Sequence, residues 1–262
     1  MRFSRADFIA VVLVAFLAYV FIEFLLYVSP EQFLANFLDS TYIYALCLSL
    51  ATATIASIVA FPLSVFLGYF LSREDFVTKG FLEVVFMIPY SIPPISLGSL
   101  LLLFFTISKV GVFIERIFSV LFSFKALLIV HFILSFSVMV FFIKNAFTSI
   151  SKEFEDFARI LGYGRIRSLL IILIPMMRNQ LLYAYIMGFM RAFTDFGASI
   201  MVAGAIISKT ATLPSYIYIA INSGDIDQGL IATLTTVVIS MTIISILQYR
   251  AHEKYNKSNI FS

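Results

Sequence analysis

Long runs of apolar residues with almost no charge limit this chain more than any other feature. Residues 42–71 and 126–143 contain no Asp, Glu, Lys or Arg, and residues 8–28 contain only Glu23. A helix needs about 20 predominantly apolar residues to cross the hydrocarbon core. In lipid, only helices and closed barrels satisfy their own backbone polar groups. Continuous apolar runs, without the strict alternation of a barrel strand, point to helices. Composition agrees, with 61% hydrophobic and 13% charged residues, against about 45–50% and 25% in soluble domains. We therefore expect an all-α polytopic membrane protein of about six transmembrane helices, forming one domain over residues 1–262 with a core over 40–250. The net charge of +3 carries no nucleic-acid signal. The single cysteine, Cys47, excludes an intrachain disulfide and is expected to be a buried, inert thiol.

Taken in order, the first crossing is expected at about 8–28. It follows Arg2 and Arg5 and is too long for a cleaved leader. The second, 42–71, intersperses Ser49, Thr52, Thr54 and Ser57 with alanines, a pattern that favours close helix contact inside a bundle. The third, 81–108, carries Pro89, Pro93 and Pro94, which remove donors and bend or break a helix. Irregular backbone at that depth is tolerated only inside protein or beside a cavity. Residues 109–125 mix charges with Phe and Ile and suggest an interfacial or short re-entrant helix. Segments 126–143, 181–207 and 230–247 complete the set. His131 has no companion ligand and reads as a hydrogen-bonded interfacial histidine.

Basic residues fall unevenly on the two sides. One set of faces carries Arg2, Arg5, Arg73, Lys79, Lys144, Lys152, Arg159, Arg165, Arg167, Arg178, Arg250, Lys254 and Lys257, and the other only Lys109, Arg116, Lys125 and Lys209. Positive-inside asymmetry places both termini and the loop over about 146–180 in the cytoplasm.

That loop is the longest water-compatible stretch. Phe154, Phe157, Ala158 and Leu161 recur at i, i+3, i+4 and i+7, which predicts an amphipathic helix with one apolar stripe. Ser151 is placed to cap it, and Glu153, Glu155 and Asp156 suit its positive N-terminal end. Gly162 is the expected left-handed terminator. A second helix is expected from Arg165 to Pro175. The acidic start disfavours an anionic membrane surface, which leaves folding back on its own membrane domain or docking into the groove of another protein.

Asp156-Phe157-Ala158, three residues, Gly162, nine residues, then Ile172-Leu173-Ile174-Pro175 resembles the EAA loop of ABC-importer permeases. That loop reads Glu-Ala-Ala, three residues, Gly, nine residues, Ile-x-Leu-Pro. Ala158, Gly162, Ile172 and Pro175 match, whereas Asp156, Phe157 and Ile174 are replacements. The stretch Met190 to Gly204, with Arg191, Asp195, Phe196 and Gly197, is similar to the Arg-Ala-Leu-Gly-Glu-Phe-Gly-Ala-Thr segment of molybdate, tungstate and sulfate permeases. Thr212-Leu213-Pro214, Ile217-Tyr218, Ile92-Pro93-Pro94 and Leu97-Gly98 extend the likeness over about residues 40–250.

The resemblance implies a type I importer permease in a prokaryotic inner membrane. Its implied partners are a second permease copy, cytoplasmic ATPases gripping the loop, and an extracytoplasmic binding protein. Glu153, Asp156, Phe157, Ala158, Leu161, Gly162, Ile172 and Pro175 would couple to the ATPase. Pro93, Pro94, Gly98, Arg191, Asp195, Phe196 and Gly197 are candidates for the pathway or gate. Arg191 and Asp195, spaced i, i+4, are expected to pair as a structural or gating ion pair. No cofactor or metal is expected on this chain. The G-x-x-x-x-G-K-[ST] pattern is absent, so ATP-Mg would be bound by a partner. Asp-Phe-Gly in place of Glu-Phe-Gly also fits permeases for iron(III), phosphonate or thiamine. An ion-coupled secondary transporter would want repeats or chained carboxylates, and an intramembrane enzyme would want a Ser/His or metal arrangement; the sequence has neither.

Overall fold

A computed structural model describes residues 5–27 and 29–259, and within them every regular element is helical. Arg2 lies outside the described residues. In chain order the helices are α1 (Arg5–Tyr27), α2 (Pro30–Phe37), α3 (Ser40–Arg73), α4 (Lys79–Ser91), α5 (Pro94–Ile107), α6 (Lys109–Phe118), α7 (Phe124–Thr148) and α8 (Glu153–Ile160). α9 (Arg165–Ser168) then passes through a π-helical stretch, Leu169–Leu173, into α10 (Ile174–Met176). α11 (Arg178–Phe193), α12 (Gly197–Ala203), α13 (Leu213–Asn222) and α14 (Ile226–Asn259) complete the chain.

Three helices are long and apolar enough to cross a bilayer unbroken: α3, α7 and the Ile226–Ile246 part of α14. Two bent pairs bring the number to five, α4 with α5 at 109° and Arg165–Met176 with α11 at 84°. α1 is 23 residues long, with Val11–Phe24 its apolar stretch among the described residues. The expectation of about six thus resolves into three straight spans, two broken ones and a first helix whose Phe8, Leu13, Val14 and Phe16 are all exposed.

The first break follows from proline. Pro94 opens α5, Pro93 stands just before it in an extended conformation, and Ile92 ends α4. Prolines supply no N–H and force the preceding residue out of the helical region. Pro62 lies inside α3 without ending it. Upstream of Pro175, the ladder widens into the Leu169–Leu173 π turn, where the missing donor and ring clash of a proline are absorbed. The helix expected to stop at Pro175 therefore runs one residue further.

α3, α7 and α11 pack together as the centre of the bundle. Small residues set their spacing, as expected where lipid supplies no hydrophobic drive between helices. A Cβ on Gly68 would sit 2.8 Å from Ile143 Cγ2, and one on Gly188 would sit 3.0 Å from the Ser135 carbonyl. Ser57 and Ser135 hydroxyls meet at 3.0 Å, and Ser49 Oγ accepts from the Leu213 amide at 2.6 Å. The hydroxyl-rich second segment is thus buried in the bundle, as its composition implied. Cys47 is exposed, a correction to its expected burial, because the inward face of α3 is taken by Ala45, Leu48, Ser49 and Thr52.

The side opposite the 146–180 loop is built from caps. Asp39 accepts from the Thr41 and Tyr42 amides at 2.8 and 2.9 Å. The Thr41 hydroxyl and these amides hold its carboxyl below the usual range. α6 ends on Ser119 in the left-handed region, and Glu115 Oε2 accepts from the Val120 and Leu121 amides at 2.8 and 3.0 Å.

Segment 181–207 is not one helix, which corrects the expected fifth crossing. α11 stops at Phe193, Thr194 to Phe196 turn, and α12 starts at Gly197. His131 is also corrected. It is 1% exposed, in the bundle core and not at an interface.

Candidate functional site

Two sets of predicted residues form separate places in the fold. The first is the loop. Ser151 Oγ accepts from the Glu153 amide at 3.3 Å, so the serine does support the start of α8. At the other end Gly162 has φ +81°. Its amide donates to the Arg159 carbonyl and that of Tyr163 to Ala158, both at 2.9 Å, the paired bonds of a Schellman terminus.

The face α8 turns inward is not the expected stripe. Ala158 is fully buried, but Phe157 and Leu161 are 65% and 71% exposed, and Phe154 is exposed as well. In place of the stripe, Glu155 is buried beside Ala158. Glu155 forms an ion pair with Arg73 at the end of α3. The Tyr69 hydroxyl donates to Glu155 Oε2 at 2.8 Å and accepts from Arg165 Nε at 3.3 Å. Arg165 pairs with Glu74 and lies over the Tyr69 ring at 5.3 Å. Tyr69 meets Phe147 edge-on. This clasp of Tyr69, Arg73, Glu74, Glu155 and Arg165 ties α8 and α9 to α3. Lys144 and Glu83, 2.6 Å apart, tie α7 to α4 at the same end. Arg73 Nη2 is buried without a hydrogen-bond partner among the described residues.

The clasp was invisible in sequence because Arg73 and Glu155 are 82 positions apart. The only available signal was that Glu155 and Ala158 share a face opposite Phe157. Of the other predicted loop residues, Glu153, Asp156, Gly162 and Pro175 are exposed and Ile172 half-buried. Asp156 pairs with Arg159 at 3.2 Å on the surface. A Cβ at Gly162 would meet nothing within 4 Å, so substitution there acts through φ alone. Gly162→Val is expected to cost about 1–2 kcal/mol locally and to loosen the α8 terminus, read as faster amide exchange at Gly162 and Tyr163 with the bundle unchanged.

The second place is where α5 crosses α12. A Cβ on Gly98 would lie 2.7 Å from Ala198 Cα, and one on Gly197 would lie 2.9 Å from the Ile95 amide and 3.2 Å from Pro94 Cβ. Pro94, Gly98 and Gly197 are therefore brought together, with exposed Pro93 at the edge. Gly98→Leu is expected to prevent this crossing, seen as loss of folded chain in detergent, since backbone on both sides leaves no room. Phe196 packs against Tyr218, with ring centroids 5.0 Å apart and planes tilted by 39°.

Arg191 and Asp195 do not form the expected ion pair. Helix α11 ends before Asp195, so the i, i+4 geometry is lost. Asp195 is 1% exposed. It accepts from the Ser199 and Ala198 amides at 2.8 and 3.4 Å and from Ser199 Oγ at 2.7 Å. His131 Nε2 stands 3.2 Å from Ser199 Oγ. Here a hydroxyl lies between the carboxylate and the imidazole and gives its proton to the carboxylate. That order holds the start of α12. Among the described residues no group of His, Cys, Asp and Glu side chains is arranged to hold a metal.

The binding-protein-dependent transport system inner membrane component family matches residues 60–255. The molybdenum transport system permease protein ModB of Escherichia coli (strain K12) is 29% identical over 208 residues, 78% of this chain and 90% of that protein. The molybdate/tungstate transport system permease protein WtpB of Methanocaldococcus jannaschii is 27% identical over 215 residues, 82% of this chain and 84% of that protein. A chain in the crystal structure of a bacterial ABC transporter involved in the import of the acidic polysaccharide alginate superposes with a TM-score of 0.68 at 14% identity, covering 86% of this chain and 84% of that one. That likeness is one of fold.

Proposed function

The chain belongs to the binding-protein-dependent transport system inner membrane component family, and from that premise we propose that it forms the translocation pathway for molybdate or tungstate, with sulfate as the neighbouring candidate. It is a permease subunit of an ABC importer. In this reading residues 1–262 are one transmembrane domain, both termini and α8 face the cytoplasm, and two permease copies enclose the pathway. ATP-Mg is bound by ATPase partners, and a binding protein delivers the anion from the other side.

The observation that carries the reading is the division of α8 into two faces. Phe154, Phe157 and Leu161 are exposed, while Glu155 and Ala158 are held inside. An aromatic and aliphatic face on a short helix, rimmed by Glu153 and Asp156, suits a groove in a soluble protein. Anchored from behind, α8 would not slide when the ATPases close. Its displacement would pass through Glu155 and Arg73 to α3, and through the bundle to the α5–α12 crossing. There Gly98 and Gly197 let two backbones move as a unit, giving alternating access.

The names of ModB and WtpB support molybdate or tungstate, as does the resemblance of Met190 to Gly204 to the segment of molybdate, tungstate and sulfate permeases. Selectivity in this reading lies in the binding protein, because Asp195 is buried and committed to its helix.

The test is reconstitution with the cognate ATPase and binding protein in proteoliposomes. Binding protein loaded with molybdate or tungstate should stimulate ATP hydrolysis and uptake; stimulation only by iron(III), a phosphonate or thiamine would reject the substrate. Phe157→Asp should cost about 2 kcal/mol or more of ATPase association, the scale of an aromatic anchor, or about a 30-fold loss in co-purification. Unchanged retention would reject α8 as the docking face.

A further inference from the structure

Past the turn at Gly162 the loop reverses its charge. α8 starts with Glu153, Glu155 and Asp156, whereas α9 carries Arg165 and Arg167. The side chains between and beyond these arginines are aliphatic and uncovered: Ile166, Leu170 and Ile171 are 69%, 57% and 50% exposed. With Gly164, Arg165 and Arg167 they line an open cavity of about 560 Å³.

The orientation of this segment is informative. Arg165–Met176 meets α11 at 84°. The two together make one broken apolar span, and the elbow is the half that bends away from α11. Its level is set by the clasp, since Arg165 is held by Glu74 and Tyr69 at the end of α3. Arg167 is not so committed: it lies over the Tyr163 ring at 5.0 Å and forms none of the ion pairs among the described residues. A segment bent away from its partner helix at the clasp end of α3, with an aliphatic side and adjacent arginines, is the combination that anionic bilayers recruit.

We propose that the Arg165–Met176 elbow is a binding site for an anionic phospholipid of the cytoplasmic leaflet. The headgroup phosphate sits against Arg167, and an acyl chain lies over Ile166, Leu170 and Ile171. This rests on the cytoplasmic placement of the loop given above. The two halves of the loop then address different surfaces, acidic and aromatic α8 a protein, basic and aliphatic α9 the lipid. The lipid contact would set the height at which α8 is offered to its partner. ATPase contact at the elbow, expected above for Ile172 and Pro175, is disfavoured by its charge, opposite to that of α8.

The chain has no tryptophan, so one introduced residue reports its own surroundings. Leu170→Trp is placed in full-length permease in nanodiscs containing brominated phosphatidylglycerol or brominated phosphatidylcholine at equal mole fraction. The apparent affinity for quenching lipid is expected to be about fivefold higher for phosphatidylglycerol, the factor for one basic side chain at an anionic surface. Arg167→Gln should remove the preference while leaving insertion intact. Ile171→Trp repeats the measurement if Leu170→Trp does not insert. Equal quenching by both lipids overturns the proposal, as does quenching by acrylamide alone. Loss of lipid quenching when the ATPase is added also overturns it, assigning the elbow to that partner. Phe157→Trp separates the two readings. It should ignore both lipids and respond to the ATPase, and lipid quenching there would count against the docking face itself.

Discussion

Glu155→Ala is expected to yield a chain that inserts normally but loses α8 from the bundle, with transport abolished. Glu155 and Arg73 side chains are only 7% and 5% exposed. Removing one partner of a buried pair leaves the other charge uncompensated, at about 3–5 kcal/mol. Arg73 is especially sensitive to this loss because its Nη2 already has no partner among the described residues. Tyr69 would lose its acceptor in the same change, while Arg165 would keep both Tyr69 and Glu74. Glu155→Gln keeps one acceptor oxygen and should fall between Glu155→Ala and the unmodified chain. The double change Arg73→Met with Glu155→Met removes both charges and should recover most of the stability, since apolar replacement of a whole buried pair is often neutral or better. Thermal unfolding in detergent gives the order of stability, and ATPase-driven uptake gives the order of function. If the clasp transmits motion, the double variant will be stable yet uptake-deficient. A single Glu155→Ala change within about 0.5 kcal/mol of the parent, the range of ordinary surface substitutions, would show that α8 is held by other means.

The comparison of loop and clasp shows what one sequence can convey. The position of α8, its Gly162 terminus and its acidic first turn are local properties, set by spacing of a few residues and by a single φ. They were legible for that reason. Periodicity finds an apolar stripe, but it does not say which face of a short helix is turned inward, and here the polar side won. The reason is the neighbour: Arg73 at the end of a membrane-spanning helix cannot be left buried alone, and Glu155 is the residue that reaches it. The α4–α5 break was legible because prolines carry their effect in the chain itself. The break at Thr194 to Phe196 was not, since no proline marks it and apolar content continues on both sides. What creates it is the set of bonds Asp195 makes forward to Ala198 and Ser199, and that choice competes with the backward pairing to Arg191 that helical spacing suggested.

That choice makes Arg191 and Asp195 separable by mutation, where an ion pair would have made them equivalent. Asp195→Ala removes the acceptor for two amides and one hydroxyl, all buried. At about 1–3 kcal/mol for each buried group left unsatisfied, the loss should reach about 3 kcal/mol or more. Gly197 and Ala198, freed from a fixed helix start, would no longer keep their contact with Pro94, Ile95 and Gly98. Asp195→Asn keeps one acceptor oxygen in place and should lose less. Arg191→Gln should cost much less than Asp195→Ala, because the half-buried Arg191 makes no hydrogen bond or ion pair among the described residues and acts on Asp195 only through its charge at a distance. Arg191 stands at the last turn of α11, where the chain turns toward the crossing, so any effect of Arg191→Gln should appear in the coupling of ATP hydrolysis to uptake. Equal destabilisation by Asp195→Ala and Arg191→Gln would restore the ion pair as the organising contact. A large loss for the first with none for the second would assign Asp195 to building the α12 start, and would leave Arg191 as the charge available to the pathway.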